Sequence, residues 1–240
     1  MTNDGGEPRT GPVLAVFAHP DDAEIAAGGT LTKWAAAGRD VHLLVLTNGD
    51  RGSQDRGLDR ADLAATRLRE TQAAADAMGL AGVRVGAIPD GELENTSHVR
   101  EPVVRMIREL RAETVVTLDP TAVFFENRYY NHSDHRMAGW VALDASFPGS
   151  GNPHFFAEHL YEGLDPQDVI EVWLSWTNEP NHHEDITGFL HRKVHALAKH
   201  ESQLSEGIRF FEEFLEKDAV AAGAKIGVEH AEPFRVLDLT

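Results

Sequence analysis

Short, continuous apolar runs alternate with longer segments of helical periodicity along most of this chain. The first run, Val13–Ala18, contains no polar side chain and ends at His19-Pro20. An apolar run without alternation is typical of a strand in a parallel sheet that is covered on both faces. Because parallel strands are joined by crossover helices, the alternation predicts an α/β fold, a Rossmann-like three-layer α/β/α domain with a mostly parallel central sheet.

The boundaries of the predicted elements lie where the hydrophobic period changes. The predicted strands cover residues 13–18, 41–46, 83–88, 114–118 and 169–176, followed by an edge strand at 234–239. The predicted helices run from Asp21 or Asp22 to Gly38, from Leu63 to Gly79, from Val99 to Leu110, from Asp134 or its neighbour through Leu143, and over 190–204 and 208–222. Residues 147–166 are rich in Gly, Pro and His, which predicts a surface loop. We interpret residues 1–240 as a single domain in which residues 1–11 are flexible.

The composition restricts which metals and partners the chain can bind. It contains no cysteine, so a metal would have to be held by histidine and carboxylate side chains. Its 39 acidic residues outnumber 22 basic ones, and the net charge of -17 would repel nucleic acid and anionic membrane surfaces. The first residues lack the apolar core of a signal peptide, and no later stretch reaches membrane-spanning length. We therefore expect a cytoplasmic protein that does not insert into membranes.

Two polar motifs follow predicted strands at their carboxyl ends. His19-Pro20-Asp21-Asp22-Ala23-Glu24 follows the first strand, and His132-Ser133-Asp134-His135 comes after the strand that ends at Leu118. In an open parallel sheet, ligands bind beyond these ends at the point where the strand order reverses, so the two motifs can face each other. The three-residue spacing from His19 to Asp22 recurs from His132 to His135, and it lets each pair point its side chains the same way.

Histidines and carboxylates in this pattern predict a catalytic zinc site. Such sites have three protein ligands and leave a fourth position to water, and His19, Asp22 and His135 would supply the three. Nitrogen and oxygen ligands also suit Fe2+, Mn2+ or Co2+, so these ions are alternatives to Zn2+. Glu24 either hydrogen-bonds to the site or complements the dipole of the following helix.

The remaining polar residues of the two motifs indicate the type of reaction. Asp21 would lie beside the water that the metal activates, where a carboxylate can act as general base. A protonated His132 would stabilise the oxyanion of a tetrahedral intermediate or give a proton to the departing amine, and Asp134 would hold His132 protonated. Activated water, a base and an oxyanion partner are the components of amide or ester hydrolysis.

The chain resembles the PIG-L/LmbE-like N-deacetylases, zinc enzymes that act mainly on N-acetylglucosaminyl compounds. The resemblance rests first on residues 18–24, on Gly28-Gly29-Thr30 and on residues 132–135. Further landmarks extend it over nearly the whole chain: Thr47-Asn48-Gly49, residues 67–70, Asp90-Gly91, Lys193, residues 200–203 and residues 231–234.

The resemblance implies roles for individual residues and a class of substrate. The zinc ligands fall on His19, Asp22 and His135, the base on Asp21 and the oxyanion-stabilising histidine on His132. It further implies that Tyr130 helps to hold the intermediate and that Arg67 and Asp90 bind sugar hydroxyls. The expected partner is a small N-acetylated amino sugar or a conjugate of one, and a homo-oligomer is a further expectation.

Two other functions agree with the same motifs. A non-catalytic protein could keep the fold and the metal and use them to hold a sugar, and a metal phosphoesterase would bridge two metals. His182 and His183 could line the pocket, bind a second metal or be solvated on a surface loop. Trp173 and Trp176 are expected in the core or at an interface rather than as a sugar platform.

Overall fold

Strands and helices alternate in a computed structural model that describes residues 10–204 and 207–240. The strands are β1 (Val13–Phe17), β2 (Val41–Thr47), β3 (Gly82–Ile88), β4 (Thr114–Leu118), β5 (Phe124–Phe125), β6 (Tyr129–Tyr130), β7 (Glu171–Ser175), β8 (His182–Asp185) and β9 (Ala231–Asp238). The helices are α1 (Asp22–Ala36), α2 (Arg60–Met78), α3 (Ser97–Leu110), α4 (Ser133–Asp144), α5 (Leu190–Leu197) and α6 (Ile208–Gly223). The predicted flexible segment lies outside the described residues over 1–9.

Seven strands form one sheet in the order β3-β2-β1-β4-β7-β9-β8. The first five are parallel, whereas β9 runs antiparallel to both of its neighbours. The chain moves from β1 outward through β2 to β3 and then returns to place β4 on the other side of β1. The strand order therefore reverses between β1 and β4, and ligand sites of open α/β sheets lie at such a reversal.

Both faces of the sheet are buried, as the apolar run of β1 predicts. Leu14 and Val16 pack on one face with side chains of α3 and α4, among them Val103 and Val141. Val13, Ala15 and Phe17 pack on the other face with Ala23, Ala27 and Leu31 of α1. Successive strand side chains point to opposite faces, so the uniformly apolar strand places a hydrophobic layer on each side. The predicted three-layer α/β/α fold with a mostly parallel sheet is confirmed.

The far end of the sheet differs from the prediction. The last strand, β9, was predicted to be an edge strand, but it lies between β7 and β8. The edge strand is β8, which contains the histidine pair that was predicted to lie on a loop. Its sequence, His-His-Glu-Asp, has no apolar alternation, and short charged strands are typical of sheet edges exposed to water.

A buried arginine organises the segment that was predicted to be a surface loop. This segment contains short helical turns at Ala145–Ser150 and Ala157–Glu162. Arg108 of α3 is 2% exposed, and its guanidinium donates hydrogen bonds of 3.0–3.2 Å to five backbone carbonyls, those of Gly149, Ser150, Asn152, Phe155 and Phe156. His159 is fully buried and its Nε2 lies 2.8 Å from Oε1 of Glu101. Side chains from α3 thus hold a segment whose own residues favour turns.

No helix among residues 10–204 and 207–240 has both the length and the hydropathy that crossing a bilayer requires.

Replacing Arg108 with Met should destabilise the protein and loosen the segment that it holds. The substitution keeps much of the apolar stem but leaves five carbonyls without a donor, so we expect the free energy of unfolding to fall by at least about 2 kcal/mol. Urea unfolding followed by circular dichroism measures this, and limited proteolysis should cut within residues 145–162. Arg69→Met, at an exposed position of α2, is the matched control. Equal free energies of unfolding for the two variants would contradict the conclusion that Arg108 holds this segment.

Candidate metal and substrate site

The two polar motifs meet at the carboxyl ends of β1 and β4. His19 follows β1, Asp22 begins α1, and His135 lies in the first turn of α4. Nδ1 of His19 lies 3.3 Å from Oδ2 of Asp22, and Oδ1 of Asp22 lies 3.1 Å from Nε2 of His135. One ligand atom from each of the three buried residues fits within 4.8 Å of the others. The structure therefore brings together the three residues that the sequence predicts as metal ligands.

A tight turn between β1 and α1 makes the side chains of Asp21 and Asp22 point in different directions. Asp21 precedes α1 with a φ of 103°, and Oδ2 of Asp22 accepts a 2.8 Å hydrogen bond from the backbone N–H of His19. Positive φ values are uncommon outside glycine, although aspartate tolerates them better than most residues. The turn leaves Asp22 against the two histidines, while Asp21 contacts Arg67.

Hydrogen bonds to the far nitrogens of both histidines fix which nitrogen can bind a metal. The amide of Asn131 donates to the carbonyl of Ala122, so its Oδ1 accepts from Nδ1 of His135 at 3.0 Å. Nε2 of His19 lies 3.2 Å from Oδ1 of Asp90 and 3.3 Å from Oδ2 of Asp134, and carboxylates can only accept. The lone pairs of neutral imidazoles therefore lie on His135 Nε2 and His19 Nδ1, the two nitrogens that face Asp22.

The donor set fits a divalent cation. With both imidazoles neutral, two lone pairs and a carboxylate would converge within a buried space, and such acceptors repel one another unless a positive charge lies among them. Burial lowers the pKa of His19, but the charge of Asp22 and the hydrogen bonds that the ring donates to Asp134, Asp22 and Asp90 raise it to about 12, so a proton on His19 supplies this charge when no metal ion is bound. Burial likewise raises the pKa of Asp22, yet His135 and His19 hold it well below its usual range. His19, Asp22 and His135 form a group that could bind a metal ion.

Asp21 lies next to this group and is paired with a buried arginine. Oδ2 of Asp21 accepts a 3.1 Å hydrogen bond from Nη2 of Arg67, which is 3% exposed. The same guanidinium also donates to the backbone carbonyls of Pro20 and Gly49. Burial raises the pKa of Asp21 to about 6, against the opposing charge of Arg67. Arg67 was expected to bind a sugar hydroxyl, but its hydrogen bonds serve the turn that carries Asp21.

Asp90, the other expected sugar ligand, follows β3 and contacts His19. Its side chain is 14% exposed, and its backbone N–H donates to Oδ1 of Asp50 at 3.0 Å. Burial raises the pKa of Asp90, but its hydrogen bond with His19 brings the net pKa below the usual value. Asp90 therefore lies at the rim of the metal-binding group, with part of its carboxylate open to solvent.

Asp134 and His132 are arranged differently from the prediction. The carboxylate of Asp134 accepts from the backbone N–H of Gly91 at 2.7 Å and lies beside Nε2 of His19. The backbone N–H of Asp134 donates to Nδ1 of His132 at 3.2 Å, because His132 caps the N-terminus of α4. A nitrogen that accepts this bond carries no proton, and burial together with the charge of His19 lowers the pKa of His132. Asp134 therefore contacts His132 through its backbone N–H rather than through its carboxylate, and the lowered pKa favours a neutral His132 over the protonated form that the sequence predicts.

Glu24 forms a buried pair with a histidine that follows α5. It is 1% exposed, and its Oε1 lies 3.5 Å from Nε2 of His200, which is fully buried. Burial lowers the pKa of His200, but the nearby carboxylate of Glu24, followed by the charge of Asp21, raises it above the usual value. Sequence reasoning did not assign His200 a role, although it lies in one of the landmark segments. Glu24 therefore links the first turn of α1 to the segment after α5.

The β5–β6 hairpin lies beside the two motifs and carries the tyrosine implied by the resemblance. Tyr130 is 59% exposed, and its hydroxyl accepts from Nη2 of Arg136 at 2.9 Å. Its neighbour Tyr129 has a pKa raised by burial and by the charge of Asp22. Tyr129 thus interacts electrostatically with the metal-binding group, whereas Tyr130 is bound to Arg136 at the surface.

Sequence reasoning missed two further residues that contact His135. Asn131 immediately precedes the second motif, and its place one helical turn before His135 could have identified it. Trp176 follows β7, and its ring centroid lies 5.3 Å from that of His135. Trp173 is 8% exposed in the core, as expected, but Trp176 is only partly buried at the site. Its position at the carboxyl end of a parallel strand was the available signal.

The two histidines of β8, His182 and His183, lie in different environments. Nε2 of His182 lies 3.0 Å from Oε2 of Glu184, and its ring packs against Trp173 with centroids 4.8 Å apart. His183 lines a cavity that also contains Trp176. Of the possibilities left open by the sequence, pocket lining applies to His183.

Known proteins resemble the chain along most of its length. The model of the PIG-L family, described as GlcNAc-PI de-N-acetylase, matches residues 14–146. A diacetylchitobiose deacetylase from Thermococcus kodakarensis is 35% identical over 225 residues, which span 93% of this chain and 82% of the relative. The chain belongs to the PIG-L family. The residues matched by the family model include both polar motifs, so the predicted resemblance is confirmed.

Two more proteins of known activity are similar to this PIG-L chain. A 1D-myo-inositol 2-acetamido-2-deoxy-alpha-D-glucopyranoside deacetylase from Rhodococcus erythropolis is 32% identical over 245 residues, which span 80% of this chain and 81% of that protein. Among solved structures, the N,N'-diacetylchitobiose deacetylase from Pyrococcus horikoshii in complex with an inhibitor superposes with a TM-score of 0.86 and 31% identity. That superposition covers 95% of this chain and 84% of the other.

Replacing Asn131 with Ala should weaken metal binding without removing a ligand. His135 would lose the acceptor that keeps its proton on Nδ1, and loss of such a partner typically lowers metal affinity by about 10- to 100-fold. Competition with a chromophoric chelator measures the affinity for Zn2+. Ser133→Ala, an exposed change in the same motif, is the matched control. Wild-type affinity in the Asn131→Ala protein would count against this orientation of His135.

Proposed function

We propose that this PIG-L chain is a zinc-dependent hydrolase that removes the acetyl group from an N-acetylated amino sugar or a related small N-acyl amine. The observation that carries the proposal is the convergence of His19, Asp22 and His135 within 4.8 Å, with Asp21 on the same turn but bonded elsewhere. Deacetylases of N-acetylated sugars among its relatives support it. Zn2+ is the proposed ion because two nitrogens and one carboxylate leave a fourth position open.

His19, Asp22 and His135 would hold the ion through Nδ1, a carboxylate oxygen and Nε2. When bound, the cation would polarise the acetamide carbonyl and acidify a water molecule. Asp90 and Asp134 keep His19 oriented through its Nε2 proton, and Asn131 does the same for His135 through Nδ1. These contacts direct Nδ1 of His19 and Nε2 of His135 at the ion, which would displace the second proton that a pKa of about 12 gives His19.

Asp21 is the proposed general base. A carboxyl group with a pKa of about 6 is deprotonated near neutral pH but still basic enough to take a proton from attacking water. The contact with Arg67 fixes the position of this carboxylate, and the backbone carbonyls of Pro20 and Gly49 fix Arg67 in turn. The proton that Asp21 takes is then available for the departing amine.

His132 is the proposed partner of the developing oxyanion. Its Nδ1 accepts from the backbone of Asp134, which leaves an N–H on Nε2 to donate to the acetamide oxygen. Its ring lies 4.8 Å from that of His19, measured between centroids, so the donor is next to the ligand group. The role of Tyr130 and the sugar contacts of Arg67 and Asp90 stay predictions. The side chain of Asp90 is more exposed than that of Arg67.

The proposed substrate is an N-acetylglucosamine unit that carries a further group. The names of two relatives describe a disaccharide and an inositol conjugate, and both contain an acetamido sugar joined to a second ring. The cytoplasmic location and the homo-oligomer expected from the sequence stay predictions.

Asp21→Asn should retain the metal and lose most of the activity. Asparagine keeps the size of the side chain but cannot take a proton, so acetate release from N,N'-diacetylchitobiose should fall by about 100- to 10,000-fold. Metal content by plasma mass spectrometry and acetate by enzymatic assay are measured on the same sample. Asp62→Asn, an exposed change on α2, is the control.

Full activity in the metal-loaded Asp21→Asn protein would refute the role of Asp21. If metal-loaded wild-type protein binds the sugar but releases no acetate from any N-acetylated sugar tested, the non-catalytic binding function replaces the proposal.

A further inference from the structure

A cavity of about 310 Å³ lies beside α1, α6 and β9, and Trp176 links it to His135 of the metal-binding group. Residues from α1, from the segment after β7, from β9 and from α6 line it, including Ile25, Trp176, Thr177, Phe214, Asp218 and Lys225. Its volume is at the lower end of the range for small-molecule sites, roughly 300–1,000 Å³. We call it the Trp176 cavity.

Trp176 forms a wall that the cavity shares with the metal-binding group. Its ring meets that of His135 at 68° with centroids 5.3 Å apart, and the same side chain lines the cavity. Ile25, one helical turn after Asp22, lines the cavity from α1. A substrate group at His135 and a group in the cavity would therefore lie on adjacent sides of one indole ring.

The backbone holds Trp176 in an unfavourable conformation. Its φ is 49°, which is an outlier for a bulky aromatic residue. The next residue anchors the turn, because the hydroxyl of Thr177 donates to Oδ2 of Asp119 at 2.6 Å and accepts from the N–H of Glu179 at 3.0 Å. Strained residues that their surroundings hold in place cluster at ligand sites. This turn leaves the indole in contact with His135 and in the lining of the cavity.

Apolar side chains make up most of the cavity lining, and charged side chains of both signs make up the rest. Lys193, 4% exposed, donates to Oε1 of Glu232 at 2.6 Å, and Glu232 also accepts from the backbone N–H groups of Gly29 and Thr30. These two side chains form a buried ion pair in the lining of the cavity. Asp218, Lys225 and His183 contribute further polar groups from α6, the segment after it and β8.

We propose that the Trp176 cavity is a subsite for the second ring of the substrate, a neutral polyhydroxylated ring joined by a glycosidic bond to the sugar whose acetamide is cleaved. The inference rests on the proposed deacetylase function. An alkyl chain would strip water from the charged walls without replacing its hydrogen bonds. A sugar or cyclitol ring can pack a face against Trp176 and bond Asp218 and Lys225 through its hydroxyls. The mixed lining therefore favours a ring over a long acyl group.

The test compares substrates that do and do not reach the cavity. Ala221→Phe would narrow it from an exposed position on α6, and Asp218→Ala would remove a polar wall. Each variant should lower kcat/KM for N,N'-diacetylchitobiose about tenfold relative to kcat/KM for N-acetylglucosamine, mainly through KM. Ala224→Phe, exposed at the end of α6 and outside the cavity lining, is the matched control.

Binding measurements separate this inference from the proposed function. Isothermal titration should give the wild type a higher affinity for N,N'-diacetylchitobiose than for N-acetylglucosamine, and Ala221→Phe should remove that difference, whether or not acetate is released. Unchanged disaccharide affinity in Ala221→Phe, or an equal loss for both sugars, would overturn the subsite. Selective loss of activity on N-hexanoylglucosamine, with the disaccharide unaffected, would assign the cavity to the acyl group instead.

Discussion

The contact of Asp22 with His19 and His135 is the interaction on which the site depends. Its two carboxylate oxygens lie 3.3 Å and 3.1 Å from nitrogens that come from opposite sides of the strand-order reversal. Asp90 and Asp134 add negative charge around His19. A buried cluster with this excess of negative charge favours a positive charge at its centre, which a protonated His19 or a bound metal ion can supply.

The sheet positions the two polar motifs, and backbone N–H groups orient their side chains. Reversal of strand order between β1 and β4 opens a crevice into which α1 and α4 direct their first turns. Within the crevice, the N–H of Gly91 turns Asp134 toward His19, and the N–H of Asp134 fixes the tautomer of His132. One short segment after β3 thus helps to set the protonation of residues in both motifs.

The sequence predicted the parallel layers and the convergence of both motifs, because uninterrupted apolar runs and motifs at strand ends are local patterns. It failed where the outcome depends on distant partners. The direction of Asp134 depends on Gly91, the ordered path of the backbone over residues 147–166 depends on Arg108, and the placement of Trp176 depends on a turn held by Asp119. The polar strand β8 was missed because it forms only by pairing with β9.

The most direct test is a crystal structure of the zinc-loaded protein with anomalous diffraction measured at the zinc edge. The account predicts one peak per chain, about 2.0–2.2 Å from His19 Nδ1, from His135 Nε2 and from a carboxylate oxygen of Asp22, with Asp21 outside bonding distance. A peak bound through His19 Nε2, or one that leaves either histidine unbound, would contradict it.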